Sequence, residues 1–205
     1  MLSRIPQMIL EGLVTTCGKS DTMHVAAMGP QVLEQAIHSG VIESLVLRPF
    51  ASSQTARNLA RVPAGVFHLS DDVLLLAQIV TATLASPPAC QPATLVPGWV
   101  LENVCHSYEF TIESVDTSLP RTRLLARVVA EHEGRPFIGF NRARHAVVEG
   151  SILVTRLHIL GVDEVARRLQ ELFELVEKTG GSREHEAFAL LKARVAQSAS
   201  CSRGE

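Results

Sequence analysis

Over the first two thirds of the chain, apolar and β-branched residues cluster in short blocks separated by turn-forming residues; over the last third they recur every three to four positions. The first part therefore predicts strands and the last part helices. Gln7 to Cys17 (QMILEGLVTTC) reads as a central strand, Gly18 to Thr22 as a turn, and Met23 to Met28 as the second strand of a hairpin that ends at Gly29-Pro30. Gln31 to His38 is a polar connection before a strand over Val41 to Leu47. Pro49 ends that strand, a hydroxyl-rich corner follows, and a short helix starts at Gln54 and stops before Pro63. Gly65 to Leu69 is another strand, after which Ser70, Asp71 and Asp72 cap an apolar helix over Val73 to Ala85.

Ser86 to Pro97 holds four of the chain's ten prolines and reads as an extended loop. Cys105 to Val115 and Thr122 to Glu133 form a long antiparallel hairpin, turned through Asp116 to Arg121 at Pro120. The sum is about six strands joined by hairpins and turns, which predicts a barrel and not a doubly wound sheet. Beyond Gly134-Arg135-Pro136, the residues Ala143, Ala146, Val147, Gly150, Val154 and Leu157 form an apolar helical stripe, with Arg142, His145, Glu149 and Arg156 on a solvated opposite face. Asp163 to Thr179 and a last helix capped by Ser182 make an αα-hairpin closed by Gly180-Gly181, and the small, polar tail from Gln197 is expected to fray. The expected division is a mainly β domain over 1–139 and a helical region over 140–205.

Composition narrows the partners. A net charge of −2 and only 4% aromatic residues argue against a nucleic-acid partner. The most apolar segment, Val73 to Ala85, is too short to span a bilayer, so no membrane association is expected. Four cysteines without C-x-x-C spacing, and an N-terminal apolar run too short for a signal sequence, predict reduced thiols and a cytoplasmic protein. The eight histidines are scattered without metal-ligand spacing, so no metal is expected, and no hydrolase signature assigns a catalytic residue.

The chemistry gathers at Val46 to Leu59 (VLRPFASSQTARNL). Ser53 is placed to cap the helix, whose first backbone N–H groups, positive dipole end and Thr55 hydroxyl face one corner. Arg48 adds a cationic fork at the strand end, and Asn58, at i+3 from Thr55, is a further donor on the same helical face. Without a P-loop or a G-x-G-x-x-G, this corner suits a single terminal phosphate; the plainer alternative is an ordinary capped helix beside a solvated arginine. A phosphate corner with little other reactive chemistry suggests a cofactor that brings its own.

These residues carry a resemblance. Ser53-x-Thr55-x-x-Asn58-Leu59 followed by Gly65-Val66-Phe67-His68-Leu69 resembles the phosphate segment and next strand of the flavin-reductase-like FMN-binding split barrels, and His24 to Pro30 resembles their N-x-A-P segment, with His24 for Asn and Ala27 for Pro. With Arg48-Pro49-Phe50, Ser70-Asp71-Asp72 and Gly139 to Ala143 plus His145 and Glu149, the chain resembles domain-of-unknown-function family 447, a branch of that group. The resemblance implies a split β-barrel of about six antiparallel strands with a C-terminal helical extension, a homodimer, and FMN held by its phosphate at Arg48, Ser53, Thr55 and Asn58. The matched segments add Met28 and Phe67 to the cofactor set, and Phe140, Asn141 and Arg142 as residues flanking the ring. It further implies an oxidoreductase that moves a hydride between NAD(P)H or a related donor and a small-molecule substrate. The other reading is a carrier or sensor of FMN or another phosphorylated ligand that does not turn over.

Overall fold

The computed structural model describes residues 7–118 and 121–201, so the turn expected at Pro120 lies outside the described residues. The chain divides into two compact units, residues 1–70 with 87–136, and residues 71–86 with 137–205. The segment at 71–86 thus belongs with the helical residues, a grouping the expected boundary at 139/140 does not contain.

The first unit is built on one antiparallel sheet. Its strands are β1 (Gln7–Ile9), β2 (Gly12–Cys17), β3 (Met23–Met28), β4 (Gln31–Leu33), β5 (Ser44–Leu47), β6 (Ala64–Leu69), β9 (His106–Asp116) and β10 (Arg123–Glu133), with β7 (Cys90–Pro92) and β8 (Trp99–Leu101) forming a separate ribbon. The sheet order is β1-β4-β5-β10-β9-β6-β2-β3. Two register shifts in the β9–β10 pair, at Leu125/Ala126 and Val128/Ala130, bend the long hairpin and help the sheet curl into an antiparallel half-barrel. Inside the curl lie Val14, Leu45, Leu47, Phe67, Tyr108, Phe110 and Ala126. The alternate residues of β6, Ala64 and Val66, bury against Val96 and Val100 on the other face. With both faces covered, β6 is buried from Ala64 to His68, which is why its sequence reads as a continuous apolar run.

The described residues form ten strands, eight of them in the main sheet, where about six were expected, for three local reasons. The run from Gln7 to Cys17 is not one strand: β1 pairs with β4, whereas β2 pairs with β3 and β6, and the chain changes partner at Leu10-Glu11. The connection 31–38 contains β4 and a short helix α1 (Glu34–Ser39), which ends at Gly40 with φ of 74°. The proline-rich loop contributes β7 to the ribbon. Helix α2 (Gln54–Arg61) follows β5 as expected.

The second unit contains α3 (Val73–Thr81), α4 (Arg142–Thr155), α5 (Leu157–Leu160), α6 (Val162–Thr179) and α7 (Ser182–Cys201). Val73, Leu74 and Ala77 of α3 share one core with Ala143, Ala146 and Val147 of α4, Val165 and Leu169 of α6, and Phe188 and Leu191 of α7. A Cβ on Gly150 would meet Leu169 Cδ2 and Leu191 Cδ1 at 3.0 Å, so glycine there lets three helices approach closely. Four details differ from the sequence expectation. Asp72 is the residue that caps α3, accepting from Leu75 N–H at 3.1 Å. That helix stops at Thr81 and not at Ala85, where Ala82 turns to φ of 57° and Thr81 Oγ1 bonds back to Ala77 C=O. Helix α7 is preceded by Gly181, whose N–H is accepted by Glu184 Oε2 at 2.9 Å, so Ser182 is its first residue and not its cap. The expected frayed tail is helical through Cys201; residues 202–205 lie outside the described residues. No described helix is long and apolar enough to cross a membrane.

Candidate functional site

β5 delivers the chain to Arg48, and buried Pro49 starts the corner. Ser53 N–H donates to Phe50 C=O at 2.9 Å, which closes the corner, and Ser53 in extended conformation begins α2. Its Oγ accepts from Ala56 N–H at 3.1 Å and its C=O from Arg57 N–H at 3.2 Å. The N–H groups of Gln54 and Thr55 are then those that a helix start leaves open to an outside acceptor. Arg57, the nearest cation on α2, is already committed to Ser52 C=O and Gln54 Oε1.

Arg48 is different. Its Nε is buried, and it has no hydrogen-bond partner among the described residues. An arginine N–H removed from water without an acceptor costs roughly 1–3 kcal/mol, so this group would gain from an acceptor supplied from outside the chain.

Thr55 and Asn58 are both buried, on the face of α2 that packs toward β2 and β3. Asn58 Nδ2 donates to Thr16 Oγ1 at 3.0 Å and its Oδ1 accepts from Gln54 Nε2 at 2.7 Å, so the amide ties α2 to β2. Thr55 Oγ1 lies 3.4 Å from Nε2 of His24. His24 stands opposite Thr16 in the β2–β3 pair, so one rung of the hairpin supports two side chains of the helix. Burial, with Arg57 adding to it, lowers the His24 pKa below the ordinary imidazole value. Met28 falls on the same face of β3 as His24, four residues on.

The other sequence candidates stand on other elements of the chain. Phe67 is fully buried in the barrel core, its ring stacked 6.5 Å from Tyr108. Phe140, Asn141 and Arg142 belong to the helical unit. Phe140 is 88% exposed and meets Phe137 and His145 edge-on at 5.6 and 5.7 Å, and Arg142 is exposed at the start of α4. Asn141 caps α4 through Arg144 N–H and donates to Thr179 C=O at 3.0 Å. Thr16, Gln54 and the contact of His24 with Thr55 are absent from the sequence candidates. The i,i+4 spacing of Gln54 and Asn58 was the one local signal among them.

The model of the N-terminal domain of the DUF447 family, described as a protein of unknown function, matches residues 10–135, and a second model of that family matches residues 141–193. No curated protein matches the chain. Among solved structures, an FMN-bound DUF447 protein from Methanosarcina mazei is 19% identical, with 93% of this chain and 96% of that one covered at a TM-score of 0.73. The styrene monooxygenase flavin reductase from Pseudomonas putida S12 is 13% identical, with 64% of this chain and 84% of that one covered at a TM-score of 0.52. The half-barrel is therefore the fold of these flavin-reductase-like proteins.

Proposed function

We propose, from the premise that this chain belongs to the DUF447 family, that it is an FMN-binding flavoprotein acting as an oxidoreductase on a small molecule with NAD(P)H or a related hydride donor. The observation that carries the reading is the buried, unpartnered Nε of Arg48, in the connection that runs into the open N-terminus of α2. These groups fit a phosphate monoester: a guanidinium fork, two backbone N–H groups of Gln54 and Thr55, and the Thr55 hydroxyl. Ser53 shapes this cradle as the cap, and Asn58 holds it against β2 through Thr16. Met28 is the β3 residue proposed for the ring side. Phe140 and Arg142 present an aromatic ring and a guanidinium to solvent, groups suited to a planar ligand, and Asn141 fixes the backbone between them. Phe67 contributes by filling the core behind its strand. FMN, when bound, supplies hydride acceptance and release at its N5.

Titration with FMN and with riboflavin tests the corner. Arg48→Ala should weaken FMN by about 10- to 150-fold, the effect of one charge-assisted contact of roughly 1.5–3 kcal/mol, and leave riboflavin almost unchanged. Equal weakening of both ligands would make Arg48 a support of the fold or the ring and remove the observation on which the reading stands. Bleaching of the bound flavin by NADH or NADPH separates the oxidoreductase from a carrier.

We also propose that the protein acts as a homodimer. Phe137, Ile138 and Phe140 are 52, 81 and 88% exposed within four residues, an apolar surface suited to burial against a second copy. Sedimentation at micromolar concentration should give twice the 22.2 kDa chain mass; a single-chain species alone would refute the dimer.

A further inference from the structure

His24 stands where the wider flavin-reductase pattern has asparagine, and its ring meets Thr55 on the helix that begins at the phosphate corner. Thr55 is 3% exposed, and His24 is the side chain its hydroxyl meets. The direction of that hydrogen bond decides what Thr55 can do. If the neutral ring carries its proton on Nδ1, Nε2 accepts from Thr55 and uses up the hydroxyl's only proton. With a proton on Nε2, the ring donates, Thr55 Oγ1 accepts, and the hydroxyl proton is free for an outside acceptor. A doubly protonated ring can only donate.

We propose that His24 is a positioning residue of the corner, which turns the Thr55 hydroxyl toward a bound phosphate ester and takes up one proton from solvent as that ester binds. This deepens the FMN reading and rests on it. The charged group that acts on His24 is Arg57 of α2; Arg61, one turn further on, is held by the C=O groups of Cys17 and Gly18. Lys19 and Asp21 follow in the turn between β2 and β3. In the free protein, burial and Arg57 favour the neutral ring. A phosphate dianion at the start of α2 reverses the local field and favours the imidazolium. Binding and protonation then reinforce each other: each pKa unit gained on binding strengthens the ligand up to tenfold as pH falls. The phosphate's own second ionisation, near pH 6, works in the same range, so the measurement must separate the two.

The test is FMN affinity from pH 5.5 to 8 for the wild type, His24→Gln and His24→Asn, with riboflavin as the phosphate-free control. The wild type should gain up to about tenfold in FMN affinity toward pH 5.5 relative to either variant, while riboflavin shows no such excess. A second measurement needs no variant: NMR titration of the His24 ring in the wild type should show its pKa rise when FMN is added. If FMN binds but the profiles of wild type and variants coincide and the ring pKa does not move, the role of His24 is overturned and the FMN reading stands. If wild type binds FMN at no pH, the FMN reading falls and the role of His24 with it.

Discussion

Replacing Glu109 by Ala should lower the stability of the strand-rich unit by about 3 kcal/mol, read as a shift of the urea midpoint. Glu109 points from β9 away from the interior of the curl, to the face on which Val96 and Val100 pack, and its side chain is fully buried, yet its carboxylate is saturated. Oε1 accepts from Thr94 N–H (2.6 Å), the Thr94 hydroxyl (2.7 Å) and His132 Nε2 (2.6 Å); Oε2 accepts from Leu95 N–H (2.7 Å) and Val96 N–H (3.1 Å). One side chain thus fastens the connection between the ribbon strands β7 and β8 to the sheet. Burial raises its pKa, but the N–H groups of Thr94 and Leu95, the Thr94 hydroxyl and His132 overcome that and hold it at about 2, against an ordinary 4.5. A depression of that size corresponds to about 3 kcal/mol at neutral pH. Glu109→Gln should cost nearly as much despite its equal size, because its amide NH₂ faces donors. Faster hydrogen exchange at Leu95 and Val96 would localise the loss; unchanged exchange there would show that the fastening is not what Glu109 provides.

The same region should make the protein sensitive to acid. Glu109's contribution is present above its unfolded pKa and is lost as pH falls from about 4.5 toward 2. His68 acts earlier. Thr15 gives its proton to Trp99 C=O at 2.6 Å, so it accepts from His68 Nε2 at 3.2 Å, and His68 Nδ1 accepts from Ser107 Oγ at 2.9 Å. Burial first, and His132 second, lower the His68 pKa from 6.5 to about 3. The folded ring stays neutral while the unfolded one takes a proton below pH 6.5, so stability falls from there down to about pH 3, by on the order of 4–5 kcal/mol. Neither group changes charge as pH rises above 7. Unfolding midpoints that stay level between pH 7 and 4 would remove the His68 part of this limb.

What was legible in the sequence is what local physics writes there. Gly65 to Leu69 and the long hairpin stand out because β-branched and aromatic residues recur in them, Met23 to Met28 because it is a largely apolar run between the turns at Gly18 to Thr22 and Gly29-Pro30, and Ser53 because a hydroxyl before a helix is a cap. The break at Leu10-Glu11 was not legible, since the residues on both sides suit a strand and only pairing with β4 on one side and β3 and β6 on the other separates them. The site divides in the same way. Arg48, Ser53 and Thr55 lie within eight residues, whereas Asn58 reaches Thr16 and His24 reaches Thr55 across 42 and 31 residues, distances set by strand register. Glu109 reads as one polar position in a strand; its five donors come from a proline-rich loop and a neighbouring strand that no local pattern connects to it.

In the helical unit, Arg144→Ala should cost about 3 kcal/mol or more, although Arg144 looks like one of several polar residues on α4. Its Nη1 donates to Asp71 Oδ2 at 2.8 Å, ahead of α3, and its Nε to Glu184 Oε1 at 3.1 Å, in the first turn of α7. Asp71 and Glu184 are each 9% exposed, so removing the cation leaves two nearly buried carboxylates without it. Burial would raise the Glu184 pKa; Gly181 N–H and Arg144 hold it down, and in the variant it should climb. The 29% exposure of the Arg144 side chain keeps the expected loss at the lower end of the range for breaking buried pairs. Arg167→Ala is the control: its pairs with Glu164 and Glu171 are exposed, and water and salt screen such pairs so that they add little to stability. Combining Arg144→Met with Asp71→Asn and Glu184→Gln should recover much of the loss, because the penalty lies in the stranded charges and not in the missing arginine. If Arg144→Ala were no more harmful than Arg167→Ala, water would be screening the cluster, and apolar packing alone would hold the starts of α3, α4 and α7 together.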